Sequence, residues 1–144
     1  MKRYLIAVLL LAASLLVVSC RHRDNPADYS SGDYFSNTPV TANVEDAYTY
    51  VVNASSFTYE QLQPIAFTTD SLTVAITVRN FSKGQGTIDL RDAGNNLLYS
   101  KTISSGLVSA EVIKLPGLAK KINLSFSRFS GQFTLSIAAV KSKY

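Results

Sequence analysis

The chain has 144 residues, of which 47% are hydrophobic and 17% charged, and its formal net charge is +4. This length leaves little room for a second domain, because compact domains most often contain about 100–150 residues. Strand-forming residues are spread along the chain, whereas helix-forming residues cluster only near its N-terminus. The composition therefore predicts one small β-rich domain.

The N-terminal segment has the three parts of a secretory signal peptide. Lys2 and Arg3 supply positive charge, residues 4–18 are apolar, and the small residue Ser19 follows. The apolar run of about 15 residues is shorter than the roughly 20 that a membrane-spanning helix needs. We therefore predict that residues 1–19 are a signal peptide rather than a membrane span.

The segment Val17-Val18-Ser19-Cys20 resembles the lipobox of bacterial lipoproteins, in which a small residue directly precedes an obligatory cysteine. The resemblance implies that a diacylglyceryl group joins the Cys20 sulfur and that signal peptidase II cuts between Ser19 and Cys20. Two or three acyl chains then anchor the protein firmly, since one chain alone binds reversibly. In the alternative interpretation, the signal peptide is an ordinary one, and Cys20 is incidental or forms an intermolecular disulfide.

A polar segment follows the cysteine. Residues 21–46 are rich in Ser, Asn, Asp and Thr and cannot build a core alone. The sequence therefore predicts a flexible tether over residues 20–46 and a folded domain over residues 47–144. Tyr29, Tyr34 and Phe35 are uncommon residue types for a linker, so they dock on the domain, add an edge strand or bind a partner.

Short runs with a period of two begin at Ala47, as in half-buried strands. Turn residues separate the runs at 82–86, 92–96, 104–106, 115–121 and 130–131. No amphipathic helix lies between them. The pattern predicts an all-β fold, an antiparallel β-sandwich of about seven or eight strands, either jelly-roll or immunoglobulin-like. One of these strands is a short one near residues 65–68.

The segments TIDLRDAGNNLLYS, SAEVIKL and SGQFTLSIAAV are loosely similar to small accessory sandwich domains of secreted bacterial proteins. These domains include carbohydrate-binding and prepeptidase C-terminal types. The similarity is one of fold and assigns no role to any residue of this chain.

The predicted domain lacks the side chains of most catalytic and metal sites. The only histidine, His22, lies two residues from Cys20, so the domain has neither an imidazole nor a thiol. This excludes Cys-His and Ser-His-Asp catalysis and the usual zinc sites. We predict no catalytic residue, no metal and no cofactor.

Carboxylates leave two alternatives open. A hydrolase of the glycosidase type would need two of them facing each other across a cleft. A calcium site would use acidic and amide oxygens around the turn at 92–96, although a hairpin turn explains these residues more simply. The candidate acids are Asp70, Asp89, Asp92 and Glu111, and the amides are Asn95 and Asn96.

Phe81 and Phe129 are the predicted ligand contacts, because each is expected at a strand end beside a turn, where burial is least certain. An exposed row of aromatic rings would indicate a sugar-binding surface. The other aromatic candidates are Tyr48, Tyr50, Tyr59 and Tyr99. The glycines of the GQG segment, Gly84 and Gly86, predict a turn or bulge, since no helix follows them to hold a phosphate.

The sequence predicts a lipid-anchored protein of the cell envelope whose β-sandwich is a binding, scaffold or accessory module without catalytic activity. Arg21 is compatible with sorting to the outer membrane, in a cell that has two membranes. The predicted partners are the membrane, through acyl chains on Cys20, and an envelope protein or a glycan, but not nucleic acid. The alternatives are a carbohydrate-binding module displayed on the envelope and a hydrolase with a carboxylate pair.

Substitution of the cysteine tests the predicted anchor. We expect Cys20→Ala to accumulate as a precursor without acyl groups and with its signal peptide, because the lipidated sulfur is what the peptidase recognises. Intact-mass spectrometry of the membrane fraction measures both changes. A wild-type chain that is cleaved normally but carries no acyl mass would contradict the prediction.

Overall fold

A computed structural model describes residues 37–141. Within this range the chain forms six strands: β1 Val40–Val44, β2 Ala47–Pro64, β3 Ser71–Arg91, β4 Leu97–Ile103, β5 Leu107–Lys114 and β6 Lys121–Ala139. All pairs are antiparallel, in the order β1-β2-β6-β3-β4, and β5 pairs with the first half of β3. No helix in this range is long and apolar enough to cross a membrane.

Alternating side chains explain why these residues form strands. In the first half of β3, the apolar residues at even positions from Leu72 to Val78 are buried, whereas Thr73, Ala75 and Thr77 face outward. β-branched residues of this kind pack well on a pleated surface. The same alternation continues through β2 and β6.

The sheet folds back on itself halfway along its three long strands. Tyr50 pairs with Leu135 in β6. If β6 were straight, Leu135 would lie about 30 Å from Phe126, because nine residues separate the two positions. The rings of Tyr50 and Phe126 are nevertheless stacked, with centroids 5.9 Å apart. The two halves of the sheet therefore face each other and enclose one core.

This folding produces a β-sandwich, as the sequence predicts. The first layer contains β1, β5, the first halves of β2 and β3, and the second half of β6. The second layer contains β4 and the remaining halves of the three long strands. Because these strands run through both layers, the domain differs from an immunoglobulin sandwich, in which each strand belongs to one sheet.

The strand count differs from the prediction of seven or eight. Residues 82–86 and 130–131, predicted as turns, bend β3 and β6 without ending them. The four strands expected over these segments are therefore the two long strands β3 and β6. Residues 65–68 form no strand.

The folded domain also begins earlier than predicted. Strand β1 lies inside the range assigned to the tether, so the predicted boundary at residue 47 is too late. All five residues of β1 are exposed because the strand forms an edge of the sheet. Its sequence therefore lacks the alternation that marks the other strands.

Left-handed backbone conformations mark the bend on each long strand. Ser56 in β2, Asn80 in β3 and Arg128 in β6 have φ angles of 50°, 52° and 47°. A non-glycine residue reaches this region at a cost of roughly 1–2 kcal/mol, so the surrounding contacts must hold it there. The pairing register shifts at the same positions, as it does at β-bulges.

Side-chain hydroxyls replace the backbone hydrogen bonds that the sheet loses at the bend. The Ser56 N–H donates to the Ser130 hydroxyl at 2.7 Å, and the Arg128 N–H donates to the Thr58 hydroxyl at 3.1 Å. Backbone N–H groups need such partners when the regular pairing is interrupted. Short polar residues at the bend therefore stabilise its geometry.

Gly84 provides a test of the bend. Its φ is 88°, and a Cβ atom built there would lie 2.3 Å from the carbonyl oxygen of Arg128. We expect Gly84→Ala to lower the free energy of unfolding by about 2–4 kcal/mol, since it adds both a left-handed side chain and a backbone clash. Urea denaturation measures the change.

Gly106→Ala is the matched control, because the nearest atom lies 3.6 Å from a Cβ built at that position. Its effect should stay within about 1 kcal/mol. Equal stabilities of the two variants would contradict the proposed packing of β3 against β6 at the bend.

Candidate functional site

An open cleft of about 440 Å³ lies at the bend. Its lining residues come from β3 and β6: Lys83, Gly84, Gln85, Ser127 and Arg128. None of the ion pairs within residues 37–141 involves Lys83 or Arg128. The two cations, with the amide of Gln85 and the hydroxyl of Ser127, offer hydrogen-bond donors to an anionic or hydroxylated ligand.

The two predicted ligand contacts, Phe81 and Phe129, lie at this bend. Phe129 is 0% exposed, and its ring centroid lies 5.3 Å from that of Phe126 and 5.7 Å from that of Phe81. It is a core side chain because β6 continues through the bend instead of ending at a turn. The burial of Phe129 therefore does not fit the predicted ligand contact. Phe81, by contrast, is only partly buried.

The aromatic side chains within residues 37–141 form no exposed row. Tyr48 and Tyr50 are buried in the core, and loss of solvent raises the pKa of Tyr48 to about 12, although Gln63 donates a hydrogen bond to its hydroxyl. Tyr59 is partly buried, and Tyr99 donates to Glu111 at 2.8 Å. A flat platform for stacking on a sugar ring is therefore not present on this part of the chain.

Each candidate acid outside the turn at 92–96 has its own local partner. Asp89 pairs with Arg91 at 3.0 Å and accepts a hydrogen bond from Ser100. The other two pairs join Lys101 to Glu111 and Lys114 to Asp70, and Lys114 lowers the pKa of Asp70. None of these carboxylates lines the cleft at the bend, so this cleft does not bring together the two acids that a glycosidase needs.

The turn after β3 accounts for the predicted calcium ligands. The Asp92 carboxylate accepts hydrogen bonds from the Asn96 backbone N–H at 2.8 Å and from its side-chain amide at 2.7 Å. These bonds lower the pKa of Asp92. Asn95 adopts a φ of 73°, as asparagine does in tight turns. Within the described range no three His, Cys, Asp or Glu side chains cluster as metal ligands.

A second candidate site is the outward-facing surface of the first layer. Side chains at fifteen positions in three rows of five point away from the core, and none of them is charged. We term this surface the neutral face. Its rows are Val40, Val51, Thr134, Thr77 and Val108; Ala42, Thr49, Ser136, Ala75 and Ala110; and Val44, Ala47, Ala138, Thr73 and Val112.

The valines at the ends of the outer rows are the most exposed part of the neutral face. Val40 and Val44 on β1 are 60% and 62% exposed, and Val108 and Val112 on β5 are 76% and 70% exposed. The edge strand β1 contains neither lysine nor proline, the residues that commonly protect free edges from pairing. The neutral face is thus bordered by exposed aliphatic side chains.

The outer surface of the second layer is different, because three consecutive rows each contain a charged residue. Its rows pair Glu60 with Ser125, Asp89 with Asn123, and Arg91 with Lys121. The three uncharged rows therefore belong to the first layer alone, where Arg79 and Lys114 lie in the rows that flank them. The sequence shows only that these positions alternate with core residues, since their assembly into one face depends on the strand order.

The lipobox residues Val17, Val18, Ser19 and Cys20 lie outside the described residues, as does His22. Their predicted roles stay predictions.

No protein-family model matches the chain. A search of the curated proteins finds no significant match. Among solved structures, the chain is similar to a pilus subunit of Bacillus endospore appendages, with 13% identity, a TM-score of 0.41, and coverage of 72% of this chain and 92% of that one.

A tailspike protein of bacteriophage CBA120 has 15% identity and a TM-score of 0.38, over 74% of this chain but only 18% of the tailspike. A family 6 carbohydrate-binding module has 11% identity and a TM-score of 0.32, over 73% of this chain and 83% of the module. Similarities this low carry no function across to the present chain.

Asp46 gives the domain a predictable response to acid. Its carboxylate accepts hydrogen bonds from the Thr68 backbone N–H and hydroxyl, each at 2.8 Å, which lower its pKa. A lowered pKa in the folded state stabilises the domain above the ordinary carboxyl pKa of about 4. That stability is lost as the pH falls through the folded-state pKa.

We expect Asp46→Asn to have a lower melting temperature than wild type at neutral pH. The difference between the two melting temperatures should shrink below about pH 4, where the wild-type carboxylate becomes protonated. Thermal melts across this range measure the difference, and Glu45→Gln is the neighbouring control because Thr68 donates its hydrogen bonds to Asp46 rather than to Glu45. A gap between wild type and Asp46→Asn that does not change with pH would contradict the role of the carboxylate.

Proposed function

We propose that the chain is a lipid-anchored protein of the cell envelope whose β-sandwich is a non-catalytic binding or accessory module. The observation that carries this proposal is the neutral face. Contiguous exposed apolar patches often mark interaction sites, and exposed valines border this uncharged face on both sides. The lipobox-like segment at Cys20 supports the location.

The neutral face has the size of a functional surface patch. Five strands about 4.8 Å apart and five residues of about 3.4 Å each define a patch of roughly 400 Å². The largest patches on monomers are about 300–600 Å² and are often functional. Threonine and serine hydroxyls in the three rows supply hydrogen bonds, while the exposed valines supply apolar contact.

The location follows from the predicted anchor. Acyl chains on Cys20 would hold the domain at a membrane surface, and Arg21 is compatible with the outer membrane in a cell with two membranes. A module held in this way meets its partner at a high local concentration, so that even a modest contact surface is occupied.

A carbohydrate-binding module is the second candidate, and the cleft at the bend is the observation that supports it. Lys83, Gln85 and Arg128 would donate hydrogen bonds to an acidic or hydroxylated sugar. The cleft lacks an exposed aromatic ring for stacking, which makes the neutral face the stronger basis for a function.

Two measurements on the protein from native membranes test the proposal. Intact-mass spectrometry should find acyl groups on a chain that begins at Cys20. Crosslinking in intact cells, followed by affinity purification, should recover partners with the wild type and lose them with Ser136→Arg at the centre of the neutral face.

The matched control is Ser125→Arg, which places the same side chain on the same strand but on the outer surface of the second layer. Unchanged recovery with Ser136→Arg would overturn the role of the neutral face. A chain without acyl groups would overturn the anchor, independently of that result.

A further inference from the structure

We infer that the bend end of the sandwich docks on a membrane surface, where its cations bind the phosphate groups of anionic lipids. The bend end consists of the segments that the strand pairing gathers around the bend: residues 53–58, 79–86, 103–107 and 127–132. The inference rests on the proposed location at a membrane, and it gives a role to a surface other than the neutral face.

The bend end carries charge of one sign only. Arg79, Lys83 and Arg128 are exposed there, and none of the residues that define this end is an acid. Within residues 37–141 the ion pairs are formed by other cations. The acid that follows the bend in β2, Glu60, accepts a hydrogen bond from the side-chain amide of Asn123 at 3.4 Å. The positive charge of the bend end is therefore not neutralised within the described part of the chain.

The opposite end of the sandwich is different, because acids and cations are mixed there. Lys114 forms an ion pair with Asp70, and Lys120 donates a hydrogen bond to the carbonyl of Phe67 at 2.9 Å. An anionic surface is therefore attracted to one end of the domain more strongly than to the other. The charged residues of this opposite end include Glu45, Asp46, Asp70, Asp92, Lys114, Lys120, Lys121 and Lys141.

The backbone of Arg128 is a second, independent observation. Its φ of 47° lies in the left-handed region, which asparagine and glycine adopt more readily than arginine. The corresponding left-handed residue of β3 is an asparagine, Asn80. Strained residues of this kind cluster where a protein contacts its ligands. The bend explains the conformation at position 128, whereas the choice of arginine is explained by what its side chain contacts in the cleft.

The donors of the cleft suit a phosphate group. The guanidinium of Arg128 can bind two phosphate oxygens at once, and the ammonium of Lys83 adds a point charge. Gln85 and Ser127 add neutral donors beside them. The cleft is open and has no exposed aromatic ring on which a sugar would stack. A phosphate that remains part of a lipid surface therefore fits the cleft better than an acidic sugar does.

The entry of the chain at the same end agrees with this contact. Hydrogen bonds of Asn37 hold it beside the bend, and Cys20 precedes it in the sequence. An anchor on Cys20 would thus be joined to the domain through its cationic end. Acyl chains and a basic patch together hold a protein at a membrane more firmly than either does alone.

Docking through the bend end leaves the neutral face accessible. In both layers the long strands run from the bend toward the opposite end of the sandwich. These strands therefore extend away from a membrane that contacts the bend. The neutral face lies along their length and stays open to a partner in the surrounding solution.

Fluorescence quenching by labelled lipid tests which end of the domain touches the membrane. The full chain carries Cys20→Ala, so that an introduced thiol is the only one. Ser105→Cys labels the bend end and Ala93→Cys labels the opposite end, and both positions are exposed. A fluorophore on the thiol is measured with vesicles of phosphatidylcholine, with or without phosphatidylglycerol, that contain a lipid with a quencher on its headgroup.

We expect phosphatidylglycerol to increase quenching of the label at Ser105→Cys but not at Ala93→Cys. Addition of Lys83→Gln with Arg128→Gln should weaken docking about 25-fold, because each cation near an anionic surface contributes about fivefold. Arg79→Gln with Lys83→Gln should have a similar effect without changing a left-handed residue. Salt at about 1 M should abolish docking, since the Debye length falls to about 3 Å.

The matched control is Lys121→Gln with Lys141→Gln, which removes the same charge from the opposite end. It should leave the quenching at Ser105→Cys unchanged. An equal loss with this control would show that net charge alone attracts the domain and would overturn the inference.

Two further outcomes would also overturn it. The first is quenching at Ser105→Cys that does not depend on phosphatidylglycerol. The second is retention on immobilised heparin that requires Lys83 and Arg128, without docking on vesicles, which would assign these cations to an acidic glycan. A wild-type chain without acyl groups would overturn the proposed anchor but not this inference, because the tested chain lacks Cys20.

Discussion

The bend shared by β2, β3 and β6 is the constraint on which the rest of the domain depends. A single antiparallel sheet with one apolar side cannot bury that side by itself. The left-handed residues Ser56, Asn80 and Arg128 fold the sheet so that its apolar side meets itself. Each of them is a non-glycine residue in a costly conformation, which is tolerated because closure of the core depends on it. Hydroxyls of Thr58 and Ser130 then satisfy the N–H groups that the bend releases from the sheet.

The same folding determines which surface is available for binding. The first layer is wider than the second, because β1 and β5 both join it, whereas only β4 is added to the second layer. The broader outer surface is the one that contains the neutral face. Width and neutrality together distinguish it from the second layer, where Asp89 and Arg91 form an ion pair on the outer surface. The proposed contact surface is thus a direct product of the strand order.

Much of the fold could be predicted from the period-two alternation, because burial of one side of a strand leaves that pattern in the sequence. The pattern does not distinguish a turn from a bend. Gly84 and Gly131 therefore indicate strand ends, although β3 and β6 run through them. Phe129 is predicted as a ligand contact at a strand end for the same reason, although it lies in the core. Strand β1 has no buried residue and hence no alternation, so the sequence places it in the tether. The neutral face depends on contacts between distant segments, such as Val51 with Thr134, which a single sequence does not specify.

Hydrogen bonds of Asn37 hold the first described residue against the bend. Its backbone N–H donates to Asn53 at 2.8 Å, and its amide exchanges two hydrogen bonds with the backbone of Ser55. Both partners lie beside the bend in β2. The described chain therefore enters the sandwich at the bend. The hairpin at residues 92–96 lies at the opposite end of the sandwich. The cleft of Lys83 and Arg128 therefore lies at the same end of the domain as Asn37.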